Sequence, residues 1–587
     1  MKHFFALFKP YIILTLLLIV VTYIQVLANL RLPDYMADII NDGIIIQNLD
    51  NIWNSGWHMI AVTAIGGVSA IIAGYFAARI ATGFARDLRK KLFTRVESFS
   101  VSDLNQFSTA SLITRSTNDI QQIQMTVTML LRIALMAPLM AIGGVQKSIE
   151  NAPSLTWIIA VAVACLIAVV VMLFIVAIPR FKKLQELVDK LNLVTRENLT
   201  GLRVVRAFNN EKIEERKFND VNNNLTHMNV VVNKLMMVLD PVMTLGMNVS
   251  VLAVVWFGAQ LVSTEELAIG NMMAFIQYAM QVIISFLMIS AMFIMVPRAA
   301  VSVKRVFKVL STDPSVTDSA HPLPLNPDGK GRVEFKDVTF TYPDADLPVL
   351  SDITFTAEPG QTTAFIGSTG SGKSTLINLI PRFYDVTAGQ ILLDGIDIRR
   401  LKIEDLHSQI GYVPQKGVLF SGTVNSNIAY GAPNISESSI KHAAEIAQAD
   451  EFIESLKGGY EARIAQGGNN VSGGQRQRLS IARALAIQPK VYIFDDSFSA
   501  LDLKTDAALR QALEKETKAK TILVVAQRIS TIVAADNIIV LNEGKIVGQG
   551  SHADLMKTCE IYREIAYSQL TEQELKEVQQ SKRKGNK

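Results

Sequence analysis

Gly367-Ser-Thr-Gly-Ser-Gly-Lys-Ser374 is the stretch on which the reading of this chain turns. A short apolar run, Thr363-Ala-Phe-Ile366, precedes it, and Thr375-Leu-Ile-Asn-Leu-Ile380 follows with helical character. Strand, glycine-rich turn and helix start together make the context that a phosphate-binding loop requires. Glycines let backbone N–H groups converge on a polyphosphate, and the helix N-terminus adds partial positive charge. Lys373 is placed to reach the β- and γ-phosphates, and Ser374 to be a magnesium ligand. Gly367, Ser368, Thr369, Gly370, Ser371, Gly372, Lys373, Ser374 and Thr375 are the candidate phosphate-binding residues.

Outward from this loop the chain divides by composition. Its 587 residues are enough for two or more domains. Apolar residues make up 49% and the mean hydropathy is positive, with the excess in the first 300 residues. A net charge of +4 is too small for a nucleic-acid footprint. Cys165 and Cys559 imply neither a disulfide framework nor a metal site. Residues 1–10, with Lys2 and Lys9 among aromatics, fit an amphipathic entry segment at the inner membrane surface. The first apolar run is too long for a cleaved signal peptide and lacks a small-residue cleavage site, so it reads as a retained membrane helix.

Six long apolar segments, near 11–31, 56–80, 127–146, 154–178, 242–263 and 271–297, are each long enough to cross a hydrocarbon core about 30 Å thick. The stretch between the second and third carries Arg86, Arg89, Lys90, Lys91, Arg95 and Arg115, and the stretch from Arg180 to Lys217 is also basic. The alternate loops are short, and acidic where charged, with Asp34, Asp38, Asp42 and Asp50 in the first and Glu265 and Glu266 in the last. Basic loops stay in the cytoplasm, which places both termini and the phosphate-binding half there. Leu184, Leu187, Val188 and Leu191 keep helical spacing, so the membrane helices are expected to run about 25 Å or more beyond the bilayer. Two turns are expected in these extensions, at 103–112 and 197–208, placed to touch a cytoplasmic domain. Arg132 and Asp240 lie near segment ends, where they can snorkel. Methionines crowd the fifth and sixth segments, among them Met243, Met247, Met292 and Met295, as adaptable cargo lining or as lipid-facing filler. Pro314, Pro322, Pro324 and Pro327 give residues 311–332 linker composition. The domains then read as a membrane domain over 1–310, the linker, an α/β domain over 333–570 and a polar tail over 571–587 with Lys582-Arg-Lys584.

The second half continues the nucleotide theme. Val333–Tyr342 alternates like a strand, and Tyr342 is either an adenine-stacking ring or a plain strand-surface aromatic. Ile410-Gly-Tyr-Val-Pro-Gln415 ends in an amide that can reach a metal or an attacking water. Val471-Ser-Gly-Gly-Gln475 opens a helix and makes a second anion site, suited to the γ-phosphate held by another copy. Val491-Tyr-Ile-Phe-Asp495 is a buried strand ending in a carboxylate that would hold magnesium through water. Ser499-Ala-Leu-Asp502 and Val524-Val-Ala-Gln-Arg528 follow.

In this order and spacing the chain, over about residues 1–570, resembles an ATP-binding cassette (ABC) exporter half-transporter. The resemblance implies a six-helix membrane domain with long cytoplasmic extensions, fused to an α/β P-loop domain with a helical subdomain. It implies ATP and Mg2+ as cofactors. It assigns Walker A to Gly367–Ser374, adenine stacking to Tyr342, the Q-loop to Gln415, the signature to Ser472, Gly473, Gly474 and Gln475, Walker B to Asp495 and the D-loop to Ser499–Asp502. Ser374, Gln415 and Asp495 become the metal ligands. Residues 197–208 resemble the second coupling loop of these exporters.

Two positions depart from the family pattern. The residue after Walker B should be Glu, which polarises the attacking water, and here it is Asp496, about 1.5 Å shorter. The switch position should be His, and here it is Gln527, which hydrogen-bonds but carries no positive charge. Ala465-Gln-Gly-Gly468 also replaces the acidic loop often found before the signature. A defective Walker site beside an intact signature resembles the degenerate-site subunit of bacterial heterodimeric multidrug exporters. The resemblance then implies a partner half-transporter with Glu and His at these positions, a bilayer location, no nucleic acid, and a hydrophobic or amphipathic cargo. Two ATP molecules would close the nucleotide domains, the turns would pass closure to the helices, and hydrolysis at the competent site would reset the transporter. The alternatives are a homodimeric lipid or peptide exporter with a working Asp/Gln site, and a nucleotide-gated regulatory or channel-like protein.

Overall fold

The computed structural model describes residues 8–432 and 434–569. The entry-segment residue Lys2 and the 571–587 tail lie outside the described residues. The chain divides into two compact units, Met1–Val96 with Thr109–Thr312, and Glu97–Ser108 with Asp313–Lys587.

In hydrocarbon every backbone polar group must be satisfied within its own segment, so long apolar runs form helices. Among the described residues six helical runs are long and apolar enough to cross a membrane: Lys9–Ile44, Leu49–Glu97, Thr109–Asn151, Pro153–Ala207, Glu211–Ser263 and Ile269–Leu310. They contain helices α1 (Ile12–Asp38), α2 (Leu49–Glu97), α4 (Thr109–Thr114), α5 (Ile120–Asn151), α6 (Thr156–Ala207), α7 (Glu211–Met237), α8 (Leu239–Ser263) and α9 (Ile269–Leu310), while α3 (Val101–Gln106) belongs to the second unit. The fourth run, 55 residues, spans roughly 80 Å at 1.5 Å per residue, far beyond a 30 Å core. The long extensions are therefore helical, as expected. Tyr278 on α9 packs with Val26 and Leu30 of α1 and Met140 of α5. Its hydroxyl donates to Asp34 Oδ1 at 2.5 Å, and Lys147 Nζ lies 3.0 Å from Asp34 Oδ2.

The two expected turns differ from their sequence reading. Residues 197–207 are not a loop but the last turns of α6, and the chain reverses only at Phe208–Asn210, where Asn209 has a φ of +52°. Favourable helical spacing persists to Ala207, so nothing breaks the helix earlier. Around 103–112 the chain makes the short helix α3, a break, and then α4. A capping box starts α3: Ser100 Oγ accepts from Asp103 N (3.2 Å) while Asp103 Oδ2 accepts from Ser100 N (2.9 Å). Asp103 Oδ2 also accepts from Ser315 N at 2.9 Å, and the Ser100 and Ser315 hydroxyls are 2.7 Å apart. Residues 311–332 are likewise tied down, with Leu323 N donating to Arg400 O (2.7 Å) and Ile403 N to Asp318 Oδ1 (2.7 Å).

The second unit holds β1 (Val333–Phe340), β2 (Leu350–Ala357), β3 (Thr362–Gly367), β4 (Ala388–Leu393), β5 (Ile396–Asp397), β6 (Ile410–Val413), β7 (Gly422–Thr423), β8 (Arg463–Ile464), β9 (Val491–Asp495), β10 (Thr521–Val525), β11 (Asn537–Asn542) and β12 (Lys545–Gly550). An antiparallel sheet has the order β2-β1-β4-β5, and a six-stranded sheet the order β12-β11-β3-β10-β9-β6, parallel except for β12. Strands covered on both faces read as unbroken apolar runs, which is why β9 is buried at every residue. Register pairs Val525 with Phe365 and with Asp495. The carboxyl ends of β3, β10 and β9 therefore finish side by side, where open parallel sheets place their ligands. Between β6 and β9 a helical subdomain packs Val424, Ile428, Ile440, Ala444, Ile453 and Leu479 into the core. Its helices include α11 (Val424–Ile428), α12 (Glu437–Ile446), α13 (Asp450–Ser455) and α14 (Gly473–Ala486).

Candidate functional site

The turn after β3 can be tight because its glycines take conformations closed to other residues. Gly372 has a φ of +97°, and a Cβ there would come 2.7 Å from Leu350 Cδ2. Helix α10 (Lys373–Leu379) starts directly after it. The cleft this loop shares with the sheet edge is about 650 Å3. Gly367, Ser368, Thr369, Gly370, Gly372, Lys373, Ser374, Thr375, Gln415, Asp495, Asp496 and Gln527 all line it. Ser371 is buried beneath the loop, its Oγ 3.3 Å from Lys373 Nζ.

Charge in this cleft is unbalanced. Lys373 Nζ donates to Gly367 O (2.9 Å) and Ser368 O (2.7 Å), and burial pulls its ammonium below the usual lysine range against the pull of Asp496 and Asp495. Burial pushes Asp495 up, although Ser374 Oγ donates to its Oδ1 at 3.2 Å. Burial also pushes Asp496 up, against hydrogen bonds from Gln415 and Ser499. A magnesium polyphosphate fits this arrangement. Phosphate oxygens would replace the loop carbonyls on Lys373, and a hard cation on Ser374 and Asp495 oxygens would relieve both carboxylates.

Asp496 stands at the centre of the departures noted above. Its φ is +46°, and its N–H is held by Val525 O at 3.0 Å. Oδ2 accepts from Gln527 Nε2 at 2.9 Å and from Gln415 Nε2 at 3.2 Å. All three residues therefore converge, with two neutral amides on one carboxylate oxygen.

Tyr342 does not line the cleft. Its hydroxyl lies 2.9 Å from Thr375 Oγ1, and its ring meets Tyr384 edge-on at 5.3 Å. Ser472, Gly473, Gly474 and Gln475 also lie away from the cleft. Ser472 caps α14 in a box, its Oγ accepting from Gln475 N (3.2 Å) and its N–H donating to Gln475 Oε1 (2.9 Å). That leaves Ser472 and Gly473 exposed on the surface.

Sequence reasoning missed five lining residues: Val349, Val525, Ile565, Ser568 and Gln569. Val525 ends β10, paired in register with Asp495, and was reachable from the strand pattern. The last three belong to the helix Glu560–Gln569, for which no local motif signals a role.

In the membrane unit a second cleft, about 560 Å3, lies among α6, α8 and α9. Leu166, Ile167, Val170, Val171, Ile175, Ile178, Met243, Ile283, Phe286, Leu287, Ile289 and Ser290 line it. Ser290 is its only hydroxyl, and its Oγ is already spent on Phe286 O at 2.9 Å.

Two family models match the chain: the ABC transporter transmembrane region over residues 11–286 and the ABC transporter model over residues 350–499. An uncharacterized ABC transporter ATP-binding protein of Mycobacterium tuberculosis is 42% identical over 564 residues, covering 96% of this chain and 97% of that protein. An ATP-dependent lipid A-core flippase of Syntrophus aciditrophicus is 33% identical over 518 residues, covering 85% of this chain and 83% of that one. Among solved structures, a bacterial Atm1-family ABC exporter with ATP bound superposes with a TM-score of 0.80 at 24% identity, over 97% of this chain and 99% of that one. That likeness is one of fold.

Proposed function

This chain belongs to the ABC transporters, as an exporter-type polypeptide that joins six apolar helices to an ATP-binding domain, and from that premise we propose that it is the degenerate-site subunit of a heterodimeric exporter of hydrophobic or amphipathic compounds. Gly367–Ser374 would hold the phosphates of ATP, and Ser374, Gln415 and Asp495 would hold Mg2+. Bound ATP supplies the free energy of transport through binding and hydrolysis. Lys373 neutralises phosphate charge from within the loop. The Ser374 hydroxyl and the Asp495 carboxylate, already 3.2 Å apart, would hold the metal ion.

The observation that carries the proposal is Asp496. Its carboxylate is shorter than the family's glutamate and accepts hydrogen bonds from the Gln527 and Gln415 amides. Neither amide can take a proton or bear a charge at neutral pH. Loss of a positioned base costs on the order of 10²–10⁴ in rate. The Ser472–Gln475 turn, exposed at Ser472 and Gly473, would complete a partner's site, where a Glu and a His would do the chemistry. Both termini would be cytoplasmic, from the basic loops. The second cleft, apolar but for the internally bonded Ser290, supports an apolar cargo, and the chain's similarity to a protein named as a lipid A-core flippase puts lipids within that class.

Mg-ATP turnover of the chain purified alone in lipid, with nucleotide binding measured beside it, tests the proposal. ATP binding with barely any turnover is the expected result. Turnover of tens per minute without a partner would overturn it and make the protein a homodimeric exporter with a working Asp496.

A further inference from the structure

Helix α15 (Leu503–Glu516) follows the D-loop, and β10 leads into the switch segment and the short helix α16 (Ile529–Ile532). Helix N-terminal N–H groups need partners from outside the helix. At α16 the N-cap is Arg528, whose side chain makes no capping bond. The partner comes from the other end of the domain. After α17 (His552–Thr558), helix α18 (Glu560–Gln569) ends with Gln569 against this segment. Gln569 Oε1 accepts from Ile529 N at 2.8 Å, and Gln569 Nε2 donates to Gln527 O at 2.8 Å. One side-chain amide thus holds the backbone on both sides of Arg528.

The helix that carries this amide is firmly seated. Tyr562 and Ala566 are fully buried, and the Tyr562 hydroxyl lies 2.7 Å from His552 Nδ1. Ile565, Ser568 and Gln569 form part of the wall of the phosphate-loop cleft. Gln527, held at its carbonyl, extends its own amide to Asp496 Oδ2 at 2.9 Å. A glutamine side chain has three rotatable bonds, so its reach is only as defined as the backbone it starts from.

We propose that Gln569 is a positioning residue of the nucleotide cleft: it pins the backbone around Arg528 so that the Gln527 amide is presented to Asp496 and to the terminal phosphate of bound ATP. The proposal rests on the reading of this cleft as the ATP site. It acts through Gln527 and touches no reacting atom.

The test is equilibrium binding of Mg-ATP and Mg-ADP to the full-length chain in lipid. ADP lacks the phosphate that Gln527 would meet. Gln569→Ala is expected to weaken Mg-ATP by about three- to tenfold, the worth of one or two hydrogen bonds, and to leave Mg-ADP unchanged. On a Gln527→Ala background the same change is expected to add nothing, since residues that act as one unit are not additive. Gln569→Glu keeps an acceptor for Ile529 N–H but sets an oxygen against the Gln527 carbonyl. It is expected to lose ATP affinity like the alanine variant at an unchanged unfolding temperature. Equal weakening of both nucleotides, no change in either, or full additivity with Gln527→Ala would each overturn the proposal. Lys373→Ala separates the two levels. If it leaves ATP binding intact, the cleft is not the ATP site and the proposal falls with that reading. If it abolishes binding while Gln569→Ala is silent, the positioning role alone falls.

Discussion

Asp496 and Asp495 share a cleft but have different tasks. Asp495 ends a fully buried strand and touches Ser374, while Asp496, in a left-handed turn, meets two glutamine amides. If the glutamate and histidine of the family pattern are what this site lacks, restoring them should restore hydrolysis. Asp496→Glu with Gln527→His is expected to raise the Mg-ATP turnover of the chain alone by about 10²–10⁴, and either change alone by much less. Burial holds both carboxyls above the usual range. A raised folded-state pKa means that the native protein binds protons more tightly than the unfolded chain. The burial cost is thus fully present above that pKa and is relieved as pH falls through it. Magnesium needs the charged form, so Mg-ATP affinity should begin to fall at a pH above the ordinary carboxylate value of about 3.9. Asp495→Asn should raise the unfolding temperature of the nucleotide-free protein at pH 7 and weaken Mg-ATP by about 10- to 100-fold. Calorimetry and a binding titration on the same samples check both halves.

Helix α3 is only six residues long and would not persist alone. It is held by Asp103, whose one carboxylate serves the capping box and the Ser315 N–H together. Burial works against the charged form of Asp103, but hydrogen bonds from Ser315 and Ser100 outweigh it and hold the carboxyl below its usual range. The stability it contributes is therefore present above the unfolded-state value of about 3.9 and lost as pH falls through the lower folded-state value. Asp103→Ala is expected to cost about 2 kcal/mol, from the cap and the orphaned Ser315 N–H. Amide exchange over residues 97–108 should rise sharply while β9 and β10 stay protected.

At the scale of the whole molecule, six helical runs among the described residues and one ABC domain make a chain whose Ser472 and Gly473 are exposed and lie away from the cleft of Gly367–Ser374. Membrane orientation is a property of the entire chain and follows from which loops carry lysine and arginine. With Cys165 and Cys559 replaced, Glu265→Cys is expected to react with an impermeant maleimide added to intact cells, and Lys217→Cys only after the membrane is opened. Labelling in the reverse order would invert the topology and remove the phosphate loop from the ATP supply.

By itself the sequence determined the class of fold, the phosphate loop and the membrane segments. Each of these is written in local order: the spacing of Gly367–Ser374 between a strand and a helix, runs of about 20 apolar residues, and the apolar strand that stops at Asp495. It also singled out Asp496 and Gln527, although not the fact that both Gln527 and Gln415 donate to the same carboxylate oxygen. Only the tertiary structure decided that residues 97–108 are held by Ser315 and that Tyr342 faces Thr375 instead of lining the cleft. It alone brought Gln569 to Gln527, 42 residues away. The physical reason is common to all three. A side chain's hydrogen-bond partner distant in sequence is set by how sheets and helices pack, and packing leaves no local period or spacing for a motif to record.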